Sequence, residues 1–152
     1  MRFLICGGRK FNDSALVTKV VDWVIESIGV PECIISGGAK GADALGHVYG
    51  NKYGIPVTVY KADWKRYGRG AGPIRNGQML VEGVPDLVIA FPGAFGTADM
   101  VQRAVREGVP ALVVNKKAAP PSGSWPNYYE LFLMRRDPPR ETYYGKMETA
   151  TC

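Results

Sequence analysis

DLVIAFPGAFGTADMV, residues Asp86–Val101, passes from a short apolar run through a turn containing two glycines, a proline and a threonine into a segment with helical spacing. A fully apolar run of this length, with no polar alternation, suits a strand buried on both faces, as in a parallel sheet. The same cycle recurs along the chain. RFLIC (2–6) precedes the glycine-bearing loop GGRKFND, and CIIS (33–36) precedes GGAKGAD. PVTVY (56–60) leads into a long loop, and PALVVN (110–115) closes the series.

Between these strands the spacing predicts helices. Leu16, Val17, Val20, Val21, Val24, Ile25 and Ile28 line one face of a helix over Ser14–Ile28, with Asp13 or Ser14 as its N-cap and Gly29 and Pro31 ending it. Further helices are expected from about Ala42 to Tyr53, Pro73 to Val81 and Ala98 to Glu107. Apolar strands alternating with amphipathic helices predict an α/β, doubly wound parallel sheet of about five strands, covered on both faces. In such a sheet the loops after the strand C-termini form the ligand crevice, and the glycine-rich stretches up to Asn115 lie in those loops.

Two regions are expected: a nucleotide-binding domain over 1–115 and a different segment over 116–152. KKAAPPSGSWPNYY reads as a Pro-rich connector, YYELFLMRR as a short helix, and DPPRETYYGKMETATC as a partly ordered tail. Trp125 and the Tyr-Tyr pairs either pack back on the domain or meet a partner. With 152 residues, 46% apolar and 22% charged, the chain has the composition of a soluble single domain. It has no apolar run of roughly 18 residues and no leader pattern, so no membrane partner and a cytoplasmic location are expected. Cys6, Cys33 and Cys152 are odd in number and far apart, which argues against a disulfide framework or a zinc site; Cys6 and Cys33 read as small core residues. The lone His47 reads as structural or solvated. The net charge is +5, and the final segment from Lys116 holds six Lys/Arg against four Asp/Glu, so the basicity is not a detachable tail.

The loops supply the candidate residues. Gly7 and Gly8 let backbone approach a ligand and Arg9 reaches a phosphate; a tight turn with a surface arginine would look the same. Ser36, Gly37, Gly38, Ala39 and Gly41 precede a helix whose free amides suit an anion. Asp43 in its first turn suits ribose hydroxyls, or simply the helix dipole. The spacing is neither GxGxxG nor GxxxxGK[ST]. Between Lys61 and Glu82 five Lys/Arg face two acids, and that stretch includes Lys65, Arg66, Arg69 and Arg75. Trp64 and Tyr67 would stack on a base or cap the core, and Pro73 as first helical residue would put Arg75 in the opening turn. Pro92, Gly93, Ala94, Gly96 and Thr97 form the last loop, where Thr97 would cap the helix or bond a phosphate oxygen. No cluster calls for a metal or another cofactor, and a Mg²⁺ carried on a ligand's phosphates would leave no trace in the sequence.

GGRKFND, ISGGAKGAD, WKRYGRGAGPIRNGQM and DLVIAFPGAFGTADMV together resemble the YspA-like, cpYpsA-related branch of the SLOG superfamily, DUF2493-type, over Met1–Asn115. The superfamily also includes the Lonely Guy phosphoribohydrolases and the DNA-processing protein DprA. The resemblance implies a Rossmann-like sheet that binds nucleotides or nucleotide-derived signals. It also implies frequent oligomers and stand-alone copies in bacteria and phages. The Lonely Guy enzymes cleave a nucleoside monophosphate to base and ribose 5-phosphate. Their PGGxGTxxE motif is matched at Pro92, Gly93, Gly96 and Thr97, and their catalytic arginine by Arg75, four residues before Met79. Ala94 replaces the second glycine, and Met100 stands where the essential glutamate falls. Asp99 is adjacent, about 100° away around a helix. Binding of a nucleotide as a sensor or sequestering module is therefore expected first. A phosphoribohydrolase using Arg75 and Asp99 comes second, and DprA-like nucleic-acid binding third.

Overall fold

The computed structural model describes residues 1–117, 127–135 and 140–149. Its strands are β1 (Arg2–Cys6), β2 (Cys33–Ser36), β3 (Val57–Val59), β4 (Leu87–Ala90), β5 (Ala111–Lys117), β6 (Asn127–Arg135) and β7 (Arg140–Thr149). They form one sheet in the order β3-β2-β1-β4-β5-β6-β7. The first five are parallel; β6 and β7 are antiparallel additions on the β5 edge. The helices are α1 (Ser14–Ile28), α2 (Ala42–Tyr53), α3 (Trp64–Tyr67), α4 (Ala71–Val81) and α5 (Phe95–Arg106).

Alternate residues of β1 feed two cores. Phe3 and Ile5 pack with Leu16, Val17, Val20, Val21 and Val24 of α1 and with Tyr49 of α2. Leu4 and Cys6 pack with Met79 and Leu80 of α4 and with Met100, Val101 and Ala104 of α5. The sheet is thus doubly wound, as its apolar strands predict. Each fully buried aliphatic side chain contributes about 1.5–3 kcal/mol. Asp13, rather than Ser14, caps α1, accepting the Leu16 N–H at 3.0 Å. Cys33 is half-buried, its Sγ 3.2 Å from Thr58 Oγ1. Among the described residues no helix is long and apolar enough to cross a membrane.

Four expectations need correction. The sheet has seven strands rather than about five. YYELFLMRR is not a short helix but most of β6, where Tyr129, Leu131 and Leu133 are buried and join the α1 side of the core. Its apolar run fits either period, and the exposed edge of β5 settles the choice by taking up the backbone groups. The expected tail contains β7, whose pairing with β6 shifts register between Leu131 and Phe132. The long loop after β3 folds into α3, capped by Asp63 on the Arg66 N–H at 3.1 Å, and a 3₁₀ turn. The readings of Trp125, Cys152 and most of the connector lie outside the described residues.

The Tyr129 hydroxyl donates to Asp13 Oδ2 at 3.3 Å, tying β6 to the cap of α1. Burial, with the Asp13 charge second, pushes this phenol up to about 12. Because Leu131 is almost wholly buried beneath α1, Leu131→Ala should cost about 2–5 kcal/mol in urea unfolding. An unchanged midpoint would mean that the antiparallel extension is not part of the cooperative unit.

Candidate functional site

At the C-terminal ends of the parallel strands three loops are bound together by one peptide. The Gly8 N–H donates to Pro92 O at 2.9 Å, and Gly8 O accepts from the Ala42 and Phe11 N–H groups, each at 3.2 Å. The backbones approach so closely that side chains would not fit. A Cβ on Gly8 would stand 2.8 Å from Pro92 O, one on Gly93 would stand 2.7 Å from Gly8 N, and one on Gly41 would stand 2.7 Å from the Arg9 carbonyl. Gly41 also has φ +82°, where L side chains are strained. These glycines are therefore accounted for by loop-on-loop packing.

Gly96 is different. Among the described glycines it alone has neither a positive φ nor any atom within 4 Å of where its Cβ would lie. It sits in the first turn of α5, which starts at Phe95, three residues before the expected Ala98. Thr97 is consequently the third helical residue and not the cap; Ala94 occupies that position and offers no side-chain bond. The turn ahead of the helix is held by the Gly8–Pro92 bond.

The second loop is shaped by buried polar groups. Ser36 Oγ accepts the Gly38 N–H at 3.2 Å and donates to Asp43 O at 3.3 Å. Gly38 has φ +68°, which the tight turn requires. Asp43, expected on ribose, is buried and accepts the Ala39 N–H at 3.4 Å, so its carboxylate is directed at its own loop. Burial pushes that carboxyl up, and the Arg75 charge opposes the shift. Arg75 donates to Gly37 O at 2.6 Å. It lies in the second turn of α4, because that helix starts at Ala71 rather than Pro73. A Cβ on Gly37 would lie 2.7 Å from Asp43 Oδ2 and would also overlap Arg75.

Asn76 was not singled out in the sequence, and it joins the two halves of the rim. It is buried, accepts from Arg75 Nε at 3.3 Å, and donates to Asp99 Oδ2 at 3.0 Å and to Gly96 O at 3.1 Å. Asp99 also accepts both Arg103 Nε contacts at 2.9 Å. Arg75 and Asp99 are therefore brought together only through Asn76. Met100 has no exposed surface and packs with Met79 and Leu4. Phe95, also missed, is 92% exposed beside Gly96. No periodicity flags it, because it falls in the turn that the sequence leaves non-helical. Trp64 is half exposed with the Arg9 guanidinium 4.9 Å over its ring, and Arg66 lies over Tyr67. Arg69 is exposed. Among the described residues no three His, Cys, Asp or Glu side chains gather as a metal site.

A model of the YspA, cpYpsA-related SLOG family matches residues 1–67. The Gene 61 protein of Mycobacterium phage D29 is 30% identical over 118 residues, covering 73% of this chain and 94% of that protein. The chain belongs to this SLOG family. The family match contains the strapped glycines of the first two loops, while the Arg75 and Gly96 loops lie beyond it. Two solved structures resemble the fold at 13% identity, each over 99% of this chain. Phosphoribosylglycinamide formyltransferase from Bacillus halodurans aligns over 80% of its length with a TM-score of 0.50. Glycinamide ribonucleotide transformylase 1 from Symbiobacterium toebii aligns over 74% with 0.53. At that identity the likeness concerns the α/β fold of this SLOG chain.

The electrostatics of Asp43 give a test. A carboxyl raised by burial opposes folding above the usual Asp range, and the opposition is relieved as pH falls through its folded value to the unfolded one. Asp43→Asn should therefore raise the urea midpoint at neutral pH, with the gain shrinking as pH falls toward the usual Asp value of about 4 and lost below it. A loss of stability at neutral pH would mean that the charged carboxylate is the form the fold favours.

Proposed function

We propose that the chain binds a nucleotide or nucleotide-derived phosphorylated ligand at the C-terminal rim of the parallel sheet, as a sensing or sequestering module. Membership of the SLOG family and the Rossmann-like fold fit a nucleotide-related role. The observation that carries the reading is Gly96. Glycine is a poor helix former, and among the described residues no atom outside its chain neighbours and its own helix backbone lies within 4 Å of where a Gly96 Cβ would stand. A ligand lying against the opening amides of α5 would require it, since those amides suit an anion and a methyl group would stand in the way.

Arg9 and Arg75 would neutralise phosphate charge, and the exposed ring of Trp64 or Phe95 would cover a base. Ser36, Gly37, Gly38, Ala39, Asp43 and Asn76 would hold the loop in shape, which differs from direct ribose contact by Asp43. Binding without cleavage is favoured because Met100 is turned into the core and Asp99 is committed to Arg103 and Asn76. A carboxylate so engaged is poorly placed to activate water or stabilise a developing oxocarbenium. Any Mg²⁺ would arrive on the ligand's phosphates.

Mass spectrometry of the denatured protein after incubation with nucleotides and nucleoside monophosphates should recover intact nucleotide. Free base with ribose 5-phosphate would instead make it a hydrolase, in which case Asp99→Asn should abolish turnover while sparing binding. The site itself is tested by Gly96→Ala. This variant should be at least as stable as the parent, yet bind nucleotide about tenfold or more weakly. Undiminished affinity in this variant would move the ligand away from α5. A steep loss of affinity with added salt, extending to oligonucleotides, would favour a nucleic-acid partner.

A further inference from the structure

We propose that a second site, at the opposite end of the sheet from the glycine loops, binds a free apolar carboxylic acid. A cavity of about 590 Å³ opens there between the last turns of α1 and the start of β4, β5 and the end of β6. Its apolar walls are Trp23, Val24, Leu87, Leu112 and Leu133, and Arg135 lines it as well. This volume falls within the range of small-molecule pockets, which are mostly apolar with a few polar groups that fix orientation.

The cavity follows from the fold. The antiparallel addition widens the sheet beyond what α1 covers. At the rim end β6 closes onto the helix through Tyr129 and Asp13. At the far end, where Leu112 pairs with Leu133, a wedge lies between helix and sheet, walled on the helix side by Trp23 and Val24.

Charge selects the occupant. Asp86 also lines the cavity, but its carboxylate accepts the Arg2 backbone N–H at 2.7 Å. Arg135 is exposed, and its guanidinium has no ion pair or side-chain hydrogen bond among the described residues. A guanidinium beside an aliphatic slot matches a carboxylate that carries an apolar body, because its fork donates to both oxygens while the apolar body leaves water. A nucleotide would not suit these walls, which carry a single cation.

The test is isothermal titration of the full chain with decanoate, decanol and decylamine, each below its aggregation concentration. Decanoate should bind and decylamine should not. Arg135→Gln should weaken decanoate about tenfold or more while leaving decanol unchanged. Ser27→Trp, at an exposed position on the cavity wall, should block decanoate and decanol alike without disturbing the core. Both variants should keep the parent's nucleotide response, because the glycine loops lie at the other end of the sheet. Absence of decanoate binding to the folded parent, equal affinity for decanoate and decylamine, or decanoate affinity unchanged in both variants would overturn the proposal.

Discussion

The Gly8 peptide holds the rim together. Its N–H and C=O bond to the fourth and second loops at once, so three strand ends converge on one residue with no side chain between them. Buried backbone polar groups need partners, and here the partners come from other loops rather than from a ladder or a helix. That choice forces glycine at positions 8, 41 and 93 and fixes where α2 and α5 begin. The glycine density that first suggests a phosphate cradle is thus in large part the cost of packing loops against one another. It makes the rim rigid, and a rigid rim is what a preorganised binding site needs.

A half-buried polar relay centred on the buried Asn76 complements that backbone strap. Arg75, Asn76, Asp99 and Arg103 form a connected series from the Gly37 carbonyl to α5. Asp99 is ion-paired with Arg103, and Arg75 is held by the neutral acceptors Gly37 O and Asn76 Oδ1, so each side chain is fixed. The same bonding removes freedom. An aspartate with an arginine on one side and an amide on the other is a structural anchor first, and the apolar residue beside it completes the core. That arrangement is the ground on which binding without cleavage is proposed.

The fold was legible where pattern and environment agree. β1, β2 and β4 are apolar on both faces because they are central in a doubly wound sheet, and α1 shows its buried stripe at helical spacing. Legibility failed where a neighbour decides the structure. The run around Tyr129–Met134 supports either helix or strand, and only the open edge of β5 selects strand. The candidate residues of the rim were picked by type and loop position, yet their contacts were not readable. Nothing local tells that Asp43 turns inward or that Gly93 is packed while Gly96 is open. Asn76 was missed because a polar residue in a helix carries no signal until its burial is known.

The two ends of the sheet are unlike for one physical reason. Parallel strands with helical crossovers bring helix N-termini and loops to one end, where backbone amides and glycines dominate. At the other end the chain enters β2, β3, β4 and β5 just after Pro31, Pro56, Pro85 and Pro110. Adding antiparallel strands to the β5 edge enlarges the sheet without adding a helix to the α1 face among the described residues. The aliphatic side chains of Leu87, Leu112 and Leu133 then line a slot instead of a filled core. Leaving that slot empty would forgo contacts that close packing normally supplies. The extension would be better packed with an apolar molecule in the slot than without one.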